Sequence, residues 1–217
     1  MAKRDYIKEI QGIRSRRLKR GSRWEQFARR FYPVLDLIFE LKNMRNQDAE
    51  REVLRYIFIA LVACLEGYYR LVIKDLVDKN GNCRENIQKI GDLKFDVNTV
   101  LAIHKKSVSI GEFVGHLVPL SSFELLNRNL STITGVDYIN DILNIEIEDP
   151  KGVLRRIPSD IARYLKETFD LRNIYCHELA PKKEPIEEFR RSAMRCTIAV
   201  YEITFANEVF VKRYIDK

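Results

Sequence analysis

From Val53 to Leu65 the chain is apolar at nearly every position. The stretch sits inside a longer helical segment that Asp48 can cap and that Asn80-Gly81 ends after about Lys79. A helix that is apolar almost all round must be covered on several sides, so it belongs either at the centre of a bundle or at a subunit interface. Its longest apolar run, Tyr56 to Leu65, is about ten residues, too short to span a bilayer. Whatever else the chain forms must supply the surfaces that bury this segment.

The remaining pattern offers helices for that purpose. Residues from about Asp5 to Arg20 space Ile7, Ile10, Ile13 and Leu18 along one narrow face, and Gly21 is a plausible stop. Ser22 with Glu25 forms a capping box for a helix through Trp24, Phe27, Phe31, Leu35, Ile38 and Leu41, which Pro33 should kink or split. Residues 82–150 read as shorter pieces opened by two further capping boxes, Ser109 with Glu112 and Ser121 with Glu124. Ile142 to Ile147 alternates like a short strand, with no evident partner. Ser159 caps a helix through Ile161, Leu165 and Phe169. After a Pro/Lys loop, a last long helix runs from Ile186 to about Tyr214, with apolar residues three and four apart. Nine glycines and six prolines in 217 residues argue against an all-β fold with its many tight turns. The expected fold is all-α: one helical bundle over 48–217 with a helical insertion at about 82–150, preceded by a basic helical segment over 1–47.

Chemistry is sparse. The four cysteines are far apart and form no C-x-x-C pair; Cys64 and Cys196 lie in apolar helical stretches and read as small core residues in a reducing compartment. Residues 1–20 carry no apolar signal-peptide core, so a soluble, cytoplasmic protein is expected. His104 and His116 have no Cys or carboxylate at metal-ligand spacing. Phosphate-binding loops, dinucleotide fingerprints, zinc-protease and serine-hydrolase motifs are all missing from the sequence, and no cofactor or metal is expected. Charge is informative. Residues 1–32 hold eleven Lys/Arg against Asp5, Glu9 and Glu25, whereas the rest of the chain has 27 basic and 28 acidic residues. The whole positive excess therefore sits at the N-terminus, as a footprint for a polyanion or as a solvated helix face.

The third histidine closes the stretch Leu171-Arg172-Asn173-Ile174-Tyr175-Cys176-His177, placed between two expected helices. Arg172-Asn173-x-x-x-His177 resembles the R-x4–6-H motif of HEPN ribonucleases, with Asn173 in the polar position after the arginine. Ala63-Cys64-Leu65-Glu66-Gly67-Tyr68-Tyr69, far upstream on the apolar helix, is similar to the first core helix of many HEPN domains, including stand-alone members of the RiboL-PSP type. The resemblance covers about residues 48–79 and 159–214. It implies a metal-independent endoribonuclease built as a homodimer, in which two motifs face one RNA strand. In that arrangement His177 moves protons and Arg172 stabilises the phosphorane charge, while Asn173 orients the histidine or the phosphate. On an ideal helix Arg172 and His177 point about 140° apart, so a kink or helix end between them is expected.

Glu66 and Tyr175 are candidate supports for this site. Arg14, Arg16, Arg17, Lys19, Arg20, Arg190 and Arg191 are the candidate RNA contacts. Simpler readings stand beside each. Arg172 could pair with Asp170 or Glu167, His177 could cap its helix, Glu66 could pair with Arg70 at i,i+4, and Tyr175 and Cys176 could be packing residues. HEPN toxins paired with nucleotidyltransferase antitoxins carry a tyrosine two residues after the histidine; here that position is Leu179. The expected function is RNA cleavage by a toxin or antiphage-defence effector, held in check by an antitoxin or regulatory protein. The alternatives are a non-catalytic HEPN module binding RNA, nucleotide or protein, and a membrane-surface scaffold using the basic helices.

Overall fold

The apolar segment forms α3 (Gln47–Lys79), thirty-three residues long, in a computed structural model that describes residues 5–16, 21–91, 97–105, 107–148, 152–177 and 185–215. Asn46, two residues before Asp48, is its N-cap, accepting from the amides of Asp48 and Ala49. Around it lie α2 (Arg23–Glu40), α6 (Ile110–Leu117), α9 (Ile161–His177) and α10 (Ile186–Ile215). Leu54, Phe58, Leu61, Leu65, Val72 and Leu76 are fully buried among them. By length and composition α3 could cross a membrane, yet 61% of its most apolar window is buried, the position of a central core helix. The all-α class is as the sequence implies. Most of the apolar surface is covered within one chain, while Tyr56 is 65% exposed and Ile59, Ala60 and Ala63 are half-buried.

Shorter elements complete the fold: α1 (Tyr6–Ser15), α4 (Gly81–Asn86), α5 (Val97–His104), α7 (Phe123–Thr134) and α8 (Tyr138–Leu143). Asn80 serves two helices at once, ending α3 and capping α4 through the Cys83 amide, while its side-chain amide donates to the Tyr214 carbonyl at the end of α10. The capping boxes Ser22/Glu25 and Ser109/Glu112 form as the sequence indicates. The third does not. Ser122 caps α7, Ser121 gives its carbonyl to Arg172, and Glu124 bonds Lys166 on α9. Pro33 leaves α2 unbroken because it lies on the exposed face, where the carbonyl it deprives of a donor can take water. α9 starts at Ile161 rather than at a Ser159 cap. The alternating stretch does find a partner: β1 (Glu146–Glu148) pairs antiparallel with β2 (Leu154–Arg156), Ile147 opposite Arg155.

α2 is part of the same core as the helices that follow it. Phe27 stacks on Phe31 at 4.9 Å and meets Tyr68 edge-on at 5.7 Å. Below these rings a polar chain crosses the bundle. Tyr138 donates to Asn207 Oδ1 (2.6 Å), the Asn207 amide donates to the Tyr68 oxygen (2.8 Å), and Tyr68 donates to Glu208 (2.7 Å). Arg23 on α2 closes the chain against Glu208 and Asp75. A buried network with its members satisfied fixes the relative register of four helices, because any slip strands a polar group in the core.

α6 lies so close to α3 that two glycines are required. A Cβ on Gly115 would sit 2.7 Å from the Arg70 carbonyl oxygen, and one on Gly111 would strike the Lys74 carbonyl. The two glycines are four apart and therefore on one face. Asp78 locks the approach, accepting from Ser109 Oγ (2.7 Å) and the Gly111 amide (2.9 Å). α1 then packs on α6 through the Arg14–Glu112 pair, the His116–Glu9 contact at 3.0 Å and a small cluster of Ile10, Val108 and Phe113. Gly115→Ala should lower stability by about 1–3 kcal/mol in thermal or urea unfolding. Gly12→Ala, at an α1 position with nothing within 4 Å, should be neutral or stabilising by up to about 1 kcal/mol.

Candidate functional site

Arg172, Asn173, Tyr175 and His177 all lie in the last two turns of α9, which continues unbroken to His177. The expected kink or helix end between Arg172 and His177 is therefore not there, and the motif does not lie in a connection. The reason is local: Ile161–His177 contains neither proline nor glycine, so the backbone ladder has no cause to stop. Arg172 and His177 point about 140° apart and are separated by roughly 7.5 Å along the axis. Asn173 and His177, four apart, share a face.

Arg172 turns inward. One guanidinium nitrogen donates to Glu66 Oε1 on α3 at 3.2 Å and to the Ser121 carbonyl at 3.0 Å. Its side chain is 17% exposed, and its Nε is buried without a hydrogen-bond partner. Neither Asp170 nor Glu167 takes the arginine: Asp170 lies by Lys166, and Glu167 accepts from Ser192. Glu66 does not pair with Arg70 either, because Arg70 reaches across to the ring and carbonyl of His116 at 3.3 and 3.4 Å. Burial pushes the Glu66 carboxyl above its usual value, and the charges of Arg172 and Arg70 pull it back.

His177 is exposed at the C-terminal end of α9, where a cation would interact favourably with the helix dipole, and it makes no hydrogen bond or ion pair among the described residues. Tyr175 packs against Phe58 and Phe189 at 5.7 and 5.6 Å, with Arg55 over its ring. Cys176 is exposed, so it is not a packing residue, unlike the buried Cys64 and Cys196.

The expected RNA contacts fall into three groups. Arg14 is paired with Glu112, and Arg16 donates to the Gly12 carbonyl. Arg17, Lys19 and Arg20 lie outside the described residues. Arg190 grips the fully buried Glu50 and also bonds Glu187, which makes it a link between α10 and α3; Arg191 is exposed near Glu188. Among the described residues no group of three or more His, Cys, Asp or Glu is placed to hold a metal ion.

What the sequence did not indicate is a groove of about 890 Å3 between α1, α2 and α3, with Glu66 in its lining. Arg16, Arg29, Arg30, Arg70 and His116 also line it. No spacing rule reveals this set, since it depends on where α1 lands.

The Glu66–Arg172 link can be measured. A double-mutant cycle with Glu66→Ala and Arg172→Ala should give a coupling of about 1 kcal/mol, appropriate to a partly exposed pair. Removing Arg172 should raise the Glu66 carboxyl further, read by carboxyl-detected NMR titration. Because the folded-state value is already above the unfolded one, Glu66's contribution to stability is fully present at acid pH. It is lost as the pH rises through the raised value.

Comparison with family models, with curated proteins and with solved structures gives no match for this chain.

Proposed function

We propose that the chain is a metal-independent endoribonuclease of HEPN type, acting as a homodimer in which the α9 ends of two protomers flank one RNA strand. The observation that carries this reading is the Glu66–Arg172 pair: a carboxylate of the central helix, 106 residues away, holds the motif's arginine in a fixed direction while His177 stands open to solvent. A phosphate-stabilising arginine benefits from being held, since a pre-set donor fork needs no reorganisation as charge develops. The 140° between Arg172 and His177 strengthens the case for two protomers. On one straight helix the two leave in different directions, and a second chain can supply the missing one.

In the proposed reaction one His177 takes the proton of a ribose 2′-hydroxyl, whose oxygen attacks the adjacent phosphorus. The bond from phosphorus to the 5′-oxygen breaks, and the other protomer's His177 protonates that oxygen. Arg172 stabilises the phosphorane, and Asn173, on the face of His177, orients the ring or the phosphate. The products are a 2′,3′-cyclic phosphate and a 5′-hydroxyl. A toxin or antiphage-defence role, with an antitoxin or regulatory protein as partner, follows from the resemblance.

One observation favours a second reading, a non-catalytic HEPN module. Arg172 is engaged by Glu66 and Ser121 as a strut between α9, α3 and the segment before α7 would be.

Structured RNA incubated in EDTA separates the two. Cleavage should occur in wild type, vanish in His177→Ala and fall on the order of hundreds-fold in Arg172→Ala; Arg172→Lys should recover little. Melting curves check that each variant folds. A single deoxynucleotide at the cut site should block cleavage there. Cleavage at that position, full activity in His177→Ala, or a monomer by light scattering at micromolar concentration would overturn the proposal.

A further inference from the structure

The groove between α1, α2 and α3 carries four guanidinium groups against two carboxylates, Glu9 and Glu66, and none of the four forms an ion pair among the described residues. Arg29 and Arg30 on α2 are exposed and form no ion pair among the described residues. Arg16 donates to a carbonyl, and Arg70 meets the His116 ring and carbonyl, all of them uncharged acceptors or a ring nitrogen. The two acids in the lining are already engaged, Glu66 with Arg172 and Glu9 with His116. The groove floor is different in character. Ala63, Cys64 and Gly67 of α3 lie between the cationic walls with Phe27 and Leu71, and the Arg30 guanidinium lies 3.5 Å from where a Cβ of Gly67 would be.

We propose that this groove is a binding site for the sugar-phosphate backbone of single-stranded RNA, with Arg29, Arg30, Arg70 and Arg16 facing the phosphates and the small-residue floor facing the sugars. The class of ligand follows from the lining. Cations drawn from three helices suit a run of phosphates better than one anion, and a volume of about 890 Å3 lies near the top of the roughly 300–1,000 Å3 range of ligand sites. The charges stand inside a concavity, where a strand can enter and a flat bilayer cannot. Phe27 and Tyr68 are buried and the half-buried His116 ring is engaged with Arg70 and Glu9, so the lining offers phosphate contacts rather than a stacking platform, and the groove reads backbone without sequence. Arg16 opens onto the groove and is followed in the sequence by Arg17, Lys19 and Arg20. Glu66 is shared between the groove and Arg172, so a bound strand lies next to the arginine of the candidate catalytic motif. The inference rests on the preceding reading only in naming RNA as the strand.

The test uses the full chain with His177→Ala, to prevent any cleavage, and a labelled single-stranded RNA dodecamer in EDTA. Fluorescence anisotropy is followed from about 50 to 300 mM KCl. Adding Arg29→Gln/Arg30→Gln should weaken binding at least about tenfold at the low-salt end. It should also flatten the slope of log affinity against log salt by about 1.4, two single-strand phosphate contacts. The same charge change at the far end of α10, Lys212→Gln/Arg213→Gln, should leave both nearly unchanged. The inference is overturned by no binding, by an unaltered slope in the Arg29/Arg30 variant, or by an equal loss in the α10 control. Binding to phosphatidylserine vesicles that needs Arg29 and Arg30 while RNA binding does not would also overturn it. The two proposals fail separately. Groove-dependent binding with no cleavage by wild type removes the nuclease and keeps the groove; cleavage with groove-independent binding does the reverse.

Discussion

Burial of α3 is the constraint from which the other contacts follow. A thirty-three-residue helix with apolar residues on every side exposes far too much hydrocarbon to exist alone in water, so it has to recruit a neighbour for each face. α2, α9 and α10 supply three long covers with ordinary amphipathic stripes. The fourth face is closed differently, by short α6, which comes in on Gly111 and Gly115 until backbone meets backbone. Hydrophobic burial alone would tolerate sliding along such a long helix. The Tyr138–Asn207–Tyr68–Glu208 chain and the Asp78 contacts to α6 remove that freedom, because they are directional and at least partly buried.

The same geometry places the groups with chemical potential. Glu66 is a half-buried position in the middle of α3, within reach of α9 on one side and of the α1–α2 groove on the other. Among the described residues it is the one side chain common to the motif arginine and the cationic groove. Arg70, one turn further, goes to His116 on α6, which in turn meets Glu9 on α1. A line of charged and polar residues therefore runs from α9 over α3 to α1, connecting the C-terminal motif to the basic N-terminal helices although 150 or so residues of sequence separate them.

Arg190 and Arg172 illustrate how position changes the meaning of one residue type. Both are arginines that the sequence offers as RNA ligands or catalysts. Arg190 faces Glu50, whose carboxylate is fully buried, so its guanidinium compensates a charge that would otherwise be intolerable in the core. Arg172 meets a carboxylate that is 29% exposed, although its own side chain, at 17%, is less exposed than that of Arg190 at 26%. Its pairing constrains direction without having to offset a fully buried charge.

Much of the fold was legible in the sequence because the signals were local. The long apolar run, the Ser22/Glu25 and Ser109/Glu112 boxes, the Asn80-Gly81 stop and the three-four spacing of the last helix each depend on residues within a turn or two. Where a distant residue competes, the local reading failed: Lys166 takes the Glu124 carboxylate that a capping box at Ser121 would have used, and α7 is capped by Ser122. The same limit applies to the candidate site. The sequence by itself determined that Arg172, Asn173 and His177 lie close along the chain, and that the positive charge is concentrated before residue 33. Only the tertiary structure decided that α9 runs straight through the motif, that Arg172 is held by Glu66 rather than by its neighbours, and that Arg29, Arg30 and Arg70 border one groove. The physical reason is that helical periodicity specifies which face a residue occupies, whereas what that face meets depends on how close other helices can approach, and here two glycines on α6 set that distance.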